Sequence, residues 1–209
     1  MPDGIQPQPT ALARLEQRVP ARVSHPIAIF DSSQFEHMQR IASVMSRTAL
    51  VPEGLRKGPP DEALANCFLV VNQAARWGMD PFAVAQSVAV IGGKLCYEGK
   101  LVAAVLTAKL GIRLRYVWND QPGEKLGITV SGAIDGETQT ISGTVAEWKT
   151  TRSGSPWTPG QYRKMLAYRG AREWARLWAP EVMLGVATVD EVDASGAGEP
   201  RDITPPRIL

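Results

Sequence analysis

Apolar residues recur at helical spacing in four stretches of the chain. The first begins at Asp31 or Ser32, either of which suits the N-cap position, and an apolar face follows it. Gly78 and Gly111 end the second and third stretches, as glycine commonly does after a helix. The pattern predicts helices over Asp31–Arg47, Asp61–Trp77, Lys100–Lys109 and Gln161–Trp178.

Runs rich in Val, Ile, Thr and Tyr predict strands between these helices. A hairpin is expected over Val84–Ile91 and Lys94–Tyr97, turning at Gly92 and Gly93. A three-stranded antiparallel meander is expected over Ile112–Trp118, Lys125–Ile134 and Glu137–Trp148. Residues 180–192 predict a short turn and a capping helix. The fold class is therefore α+β, with an antiparallel β-hairpin and a three-stranded meander packed with helices.

Length and composition indicate one domain with tails. The chain has 209 residues, of which 44% are hydrophobic, enough for a substantial core. Residues 1–30, rich in Pro, Gln and Arg, predict a flexible N-terminal arm, either simply disordered or in contact with DNA or a neighbouring subunit. Residues 31–195 form the predicted core domain and residues 196–209 a flexible C-terminal tail.

Positive charge is concentrated at the longest predicted helix. The chain carries a net charge of only +2, yet its segment 147–178 holds seven Lys and Arg against two acids. At 100° per residue, one side of the helix is expected to be buried and comprises Tyr168, Ala171, Trp174, Ala175 and Trp178. The opposite side carries Arg169, Arg172 and Arg176, and the first turn carries Arg163 and Lys164.

Two interpretations of this basic side remain. A solvated surface is the commoner use of a charged stripe. Arginine outnumbers lysine here, however, and few acids stand nearby in the sequence, which favours bidentate contact with a phosphate backbone. The second interpretation requires guanidinium groups that face a channel. Salt bridges within the same chain, or burial, would count against it, and no other part of the sequence carries it.

Other function classes lack their signatures. Cys67 and Cys96 lie in apolar segments without a Cys or His at ligand spacing, so we expect reduced core thiols and no structural zinc. His25 and His37 show no catalytic arrangement. Gly92 and Gly93 form no phosphate-binding loop, so ATP chemistry is not indicated. The absence of a long apolar run or a secretory signal favours a soluble, intracellular protein with no membrane partner.

Several short motifs occur in a specific order. They are Gly78-Met79-Asp80-Pro81-Phe82, Glu98-Gly99, Ala146-Glu147-Trp148, Pro156-Trp157 and Arg163-Lys164-Met165-Leu166 followed by Arg169 and Arg176. In this order, across residues 31–195, they resemble the single-strand annealing recombinases of phages, the RecT and Redβ superfamily. Arg201 to Pro205 also resembles the segment that follows the annealing domain in Redβ. The chain departs from the family at Ala83 to Ala85, where the compared member has a lysine shortly after the turn.

The resemblance implies an ATP-independent DNA annealing protein of phage homologous recombination, without covalent catalysis and therefore not an enzyme. It implies a RecT/Redβ-like annealing core that forms homo-oligomeric rings or helical filaments and holds single-stranded DNA and annealed duplex by backbone contacts in a basic groove. The cytoplasm of a bacterial host is the expected location. No cofactor or metal site is expected, and whether Mg²⁺ modulates annealing is open. Family members use an extra C-terminal domain to contact a phage exonuclease or a host single-strand-binding protein. The chain has little room for that domain, so whether it has such a partner is left open.

By analogy with the family, Arg163, Lys164, Arg169 and Arg176 are expected to hold backbone phosphates, and Lys94 at the hairpin to close the groove from the other side. The sequence itself adds three candidate DNA contacts: Arg172 on the basic side of the helix, and Lys149 and Arg152 in the loop before it. Trp148 and Trp157 flank the helix, and packing is favoured for them over stacking on bases. Lys100 and Arg113 are open to a purely solvated role.

Two rival functions are kept. One is a non-annealing binder, either a coating protein of single-stranded DNA or an oligomeric phage structural protein. The other is a metal-dependent nuclease, which needs carboxylates that converge on Mg²⁺. The sequence scatters its candidates, so the nuclease is disfavoured; they are Asp80, Glu98, Asp120, Glu147 and Glu173.

Overall fold

The computed structural model describes residues 30–91, 93–151 and 155–189. These residues form seven α-helices and two three-stranded sheets, so the α+β class is confirmed. The predicted N-terminal arm, the C-terminal tail and Arg152 lie outside the described residues.

The first part of the fold is a helical layer. Helix α1 (Ser32–Arg47) packs against α3 (Pro60–Trp77), where the rings of Phe35 and Phe68 lie 5.0 Å apart. The Asp31 carboxylate caps α1 by accepting from the Gln34 amide at 2.9 Å, and that hydrogen bond lowers the pKa of Asp31. The predicted connector between them contains one helical turn, α2 (Glu53–Arg56), which buries Leu55.

The predicted hairpin is present but starts later than expected. Pro81 opens a short helix, α4 (Pro81–Ala85), because the Asp80 carboxylate caps it by accepting from the Ala83 amide at 2.8 Å. Strand β1 (Val88–Ile91) therefore follows this helix and pairs antiparallel with β2 (Lys94–Tyr97). Helix α5 (Gly99–Leu110) comes next, close to its predicted bounds.

The predicted meander is confirmed as the second sheet, with strand order β3-β4-β5. It consists of β3 (Arg115–Trp118), β4 (Gly127–Ile134) and β5 (Glu137–Thr144), all antiparallel. The third strand is shorter than predicted because the Thr144 hydroxyl and the Glu147 carboxylate form a capping box, which starts helix α6 (Val145–Trp148).

The long helix, α7 (Tyr162–Trp178), occupies the centre of the fold. It packs on α5 on one side and on β4 and β5 on the other. A 3-10 turn at Pro180–Met183 follows, in the place of the predicted short turn. Strand β6 (Ala187–Thr188) comes next, within the range where a capping helix was predicted. Strand β6 pairs in parallel with β2 and completes the first sheet in the order β1-β2-β6.

Candidate nucleic-acid interface

Helix α7 is covered on two sides, and this cover determines how far its basic side chains are exposed. On the sheet side, Gly170 lets the helix approach Val130 of β4 so closely that an added Cβ would lie 2.6 Å from a Val130 methyl. On the other side, Gly99 of α5 lies against Tyr168, and its added Cβ would also meet that side chain at 2.6 Å. From Met165 to Ala175 no residue of the helix is exposed. Of the side predicted to be buried, Ala171, Trp174 and Ala175 are buried, Tyr168 is half-buried and Trp178 is 40% exposed.

Arg172 contradicts the sequence prediction most directly. It was expected on the solvent side, but it is only 2% exposed. Its guanidinium donates to the Thr188 hydroxyl at 2.8 Å and to the Glu173 carboxylate at 2.7 Å. The basic side of α7 faces β6, so the strand that the sequence did not reveal covers this arginine. Arg172 is therefore a structural residue and not a phosphate contact.

Arg169 and Arg163 also have acidic partners within the chain. Arg169 forms an i,i+4 ion pair with Glu173 at 2.8 Å, and its side chain is 23% exposed. Arg163 pairs with Asp120 and lies over the Trp118 ring, with 4.9 Å between the guanidinium carbon and the ring centroid. The expectation that few acids pair these arginines was wrong, because Glu173 of the same helix pairs with Arg169 and the fold brings the distant Asp120 to Arg163.

Arg176 is exposed, and its guanidinium donates to the Val186 carbonyl at 3.3 Å. Similar bonds hold alternate residues of the segment that ends in β6, which we call the C-terminal strap (residues 182–188). The Trp77 indole donates to the Val182 carbonyl at 3.1 Å, and Arg76 donates to the Leu184 carbonyl at 3.4 Å. Together with the Arg172 bond to Thr188, these contacts show that the strap is held by the end of α3 and by two arginines of α7.

The lysines differ in their surroundings. Lys149 is paired with Glu124 at 2.5 Å and is 27% exposed. Lys94 and Lys164 are exposed, at the start of β2 and in the first turn of α7, and within the described residues neither forms an ion pair.

We call Lys149, Arg163 and Lys164 the entrance cluster. Asp120 and Glu124, which pair with two of its members, both lie on the loop between β3 and β4.

The condition for a phosphate groove along α7 is therefore not met. Of the helical arginines, Arg172 is buried, Arg163 and Arg169 are salt-bridged within the chain, and Arg176 holds the strap. The stripe therefore does not present a continuous row of exposed cations along α7. What the described surface retains is the exposed start of the helix and the separate Lys94 at the hairpin.

The two flanking tryptophans pack inside the fold, as the favoured interpretation predicted. Trp157 is buried. Trp148 lies across Gly143 of β5, where an added Cβ would come within 2.1 Å of the indole, and its ring also contacts the Gly170 position of α7. Trp148 therefore joins the sheet to the helix.

The partner acids were missed by the sequence analysis for different reasons. Glu173 had a local signal, since it stands four residues after Arg169 on the predicted helix. Asp120 and Glu124 had none, because they precede the basic segment and meet it only through the meander. Lys100 is not merely solvated: it pairs with Glu98 at 2.5 Å, and that hydrogen bond raises the pKa of Lys100.

The carboxylates considered for a nuclease are engaged elsewhere. Asp80 and Glu147 cap helices, and the other three pair with basic side chains, namely Lys100, Arg163, Arg169 and Arg172. Within the described residues, no group of three or more His, Cys, Asp or Glu side chains is arranged to hold a metal ion. Cys67 and Cys96 are buried and unbridged, and burial raises the pKa of the Cys67 thiol. No described helix is long and apolar enough to span a membrane.

Comparisons with known proteins return nothing for this chain: no family model, no curated protein and no solved structure matches it.

Proposed function

We propose that this protein is an ATP-independent single-strand DNA annealing protein of phage homologous recombination. It acts as a homo-oligomer in the bacterial cytoplasm, binding single-stranded DNA and annealed duplex without covalent catalysis. The proposal starts from the ordered motifs that resemble the RecT and Redβ superfamily. It differs from the sequence-based interpretation in one respect, because the arginines in the middle of α7 no longer contribute to DNA binding.

The motif residues support the proposal through the fold alone. Glu98 and Gly99 begin α5, and Gly99 packs on Tyr168 of α7. Glu147 caps α6, while Trp148 packs between β5 and α7. Each of these four residues has a structural role in the fold, so the DNA contacts are assigned to the surface cations.

The entrance cluster is the observation that carries the proposal. Lys164 is exposed without an ion pair among the described residues, and the Arg163 side chain is 56% exposed beside the half-buried Trp118. Exposed ion pairs are worth only about 0–1 kcal/mol, so a phosphate backbone can replace Asp120 at Arg163. Each phosphate that is neutralised releases counterions, which gives salt-sensitive affinity.

Annealing by this surface has a simple physical basis. Complementary strands repel one another, and a catalyst of pairing must neutralise phosphates while leaving base edges free. The entrance cluster contacts the backbone and does not read the bases, so binding is independent of sequence. Because one subunit offers few such cations, assembly of many copies along the strand supplies the avidity.

A test combines binding with annealing. The wild-type protein, preloaded on one oligonucleotide, is expected to form duplex with the complementary strand faster than buffer does. The double variant Arg163→Gln and Lys164→Gln is expected to lower the slope of log affinity against log salt by about 1–2, since each lost phosphate contact contributes about one. Arg40→Gln with Arg47→Gln, two exposed cations of α1, is the charge-matched control.

Three results would reject the proposal. Slower duplex formation than in buffer would identify a coating protein. An unchanged salt slope in the double variant would remove the entrance cluster from DNA binding. Degradation of a labelled oligonucleotide with Mg²⁺ would identify a nuclease.

A further inference from the structure

Strand β5 is an open edge of the meander. It spans Glu137–Thr144, and in the described part of the chain no element pairs with the side that faces away from β4. An unpaired strand edge presents a row of amides and carbonyls to any chain that can lie beside it.

The turn before β5 determines which backbone amides and carbonyls of β5 do not bond to β4. Asp135 and Gly136 have φ values of 51° and 86°, which form a two-residue turn with both central residues in the left-handed region. Such a turn makes Ile134 and Glu137 a hydrogen-bonded pair, and every second residue of β5 after Glu137 then bonds to β4. The amides and carbonyls of Thr138, Thr140 and Ser142 therefore point away from the sheet.

Hydrogen bonds at the far end of β4 agree with this alternation. The Gly127 carbonyl accepts from Asn119, which extends β3, at 3.2 Å. The neighbouring Leu126 carbonyl accepts from Val145, which follows β5, at 2.9 Å. The outermost residue, Thr144, is not available, because its amide donates to the Glu147 carboxylate.

The β5 edge lacks the features that protect strand edges from pairing. It contains no Lys, Arg or Pro, and its register with β4 runs without a bulge from Gly127 opposite Thr144 to Ile134 opposite Glu137. The side chains of Thr138, Thr140 and Ser142 are exposed. The opposite edge strand of the same sheet, β3, has only four residues and begins with Arg115.

We propose that β5 pairs antiparallel with β5 of a second copy of this chain, about a two-fold axis at Thr140. Thr140 then faces the partner's Thr140, and Thr138 faces the partner's Ser142. This symmetric register engages all three free residues, and hydroxyl side chains suit cross-strand pairs. Glu137 faces the partner's Gly143, so like charges do not meet.

The result is one continuous six-stranded sheet in an isologous dimer that closes on itself. The contact uses none of the cations of the entrance cluster, so it goes beyond the proposed DNA binding and is tested without DNA. A protein that is monomeric without DNA overturns the β5 contact, while DNA binding by the entrance cluster is decided by its own salt-slope test.

Single cysteine substitutions test the register under mild oxidation. Facing residues in a hydrogen-bonded pair have Cα atoms about 5.5 Å apart, within the range of a disulfide. Thr140→Cys is expected to form a covalent dimer by itself, whereas Thr138→Cys and Ser142→Cys cross-link only when the two variants are mixed. Native Cys67 and Cys96 are buried and do not compete. Failure of Thr140→Cys to cross-link, or equal cross-linking of Thr138→Cys alone, overturns the proposed register.

Sedimentation equilibrium tests the dimer itself. The wild type is expected to be a dimer, and Thr140→Lys a monomer, because two like charges then oppose each other at the axis. Val117→Lys is the control, since Val117 is 62% exposed on β3, the far strand of the same sheet, and it is expected to remain a dimer. A monomeric wild type, as when another segment or a foreign peptide covers the edge, overturns the proposal. Dissociation by Val117→Lys does so too, because it indicates pairing between β5 and β3.

Discussion

Arg172 and Thr188 are buried against each other, and the guanidinium donates to the threonine hydroxyl at 2.8 Å. This contact fastens strand β6 to helix α7, and Arg176 fastens the preceding residues through the Val186 carbonyl. Two arginines of the strongest charge pattern in the sequence thus hold the C-terminal strap.

Replacing Arg172 is expected to lower the stability of the fold without a specific effect on DNA binding. Arg172→Met leaves the buried Thr188 hydroxyl without this donor, and loss of one partner from a buried hydrogen bond costs about 1–3 kcal/mol. Chemical denaturation measures the loss, with exposed Lys164→Met as the control. The double variant with Thr188→Val is expected to recover part of it. Weaker DNA binding at unchanged stability would instead restore the groove along α7.

Asp120 is expected to restrain DNA binding by competing for Arg163. Asp120→Asn removes the competing charge, and asparagine tolerates the left-handed backbone at this position, where φ is 53°. We expect single-stranded DNA affinity to rise a few-fold at low salt, with a steeper salt dependence. Asp135→Asn is the matched control, because Asp135 has φ of 51° and, within the described residues, no ion pair. Equal effects of the two variants would mean that only net charge matters.

The close contact between Gly143 of β5 and Trp148 predicts that position 143 does not accept a side chain without a shift of its neighbours. In Gly143→Ala the new Cβ would overlap the indole at 2.1 Å, so the helix or the sheet must shift, at a cost of about 1–3 kcal/mol. Adding Trp148→Phe is expected to relieve part of this cost. Gly160→Ala, which meets no atom within 4 Å, is the control, and thermal unfolding is the measurement. A neutral Gly143→Ala would show that Trp148 is free to move.

Ionisation of Tyr97 is expected to account for part of the stability that is lost at alkaline pH. Burial raises the pKa of Tyr97 from about 10 to about 12. The folded state therefore holds this proton more tightly than the unfolded state, so its contribution to stability is complete below pH 10 and lost as pH rises towards 12. That contribution amounts to roughly 2–3 kcal/mol. Denaturant titrations from pH 9 to 12 are expected to show a smaller loss in Tyr97→Phe than in the wild type, with Tyr168→Phe as the control.

The variants report on different properties of the protein. Arg172 and Gly143 report on packing, Tyr97 on the burial of one side chain, and Asp120 on the proposed DNA surface. The cysteine series at β5 reports on assembly alone.

Local patterns in the sequence determined most of the secondary structure. The caps at Asp31 and Gly78, the helical periods and the Asp135-Gly136 turn act through neighbouring residues, so they can be read from the chain itself. The capping box from Thr144 to Glu147 was equally local, and its signal was present but not used. The α+β class and the buried side of α7 followed from these patterns.

Only the tertiary structure decided which charges are free. A helical wheel reports the angle of a side chain but not what lies opposite it, and α7 has neighbours on both sides. Arg172 became a core residue because β6, two residues long, reaches it, and Arg163 gained Asp120 because the meander folds back over the start of the helix. Ion pairs between distant segments depend on chain topology, which no spacing within the basic segment encodes.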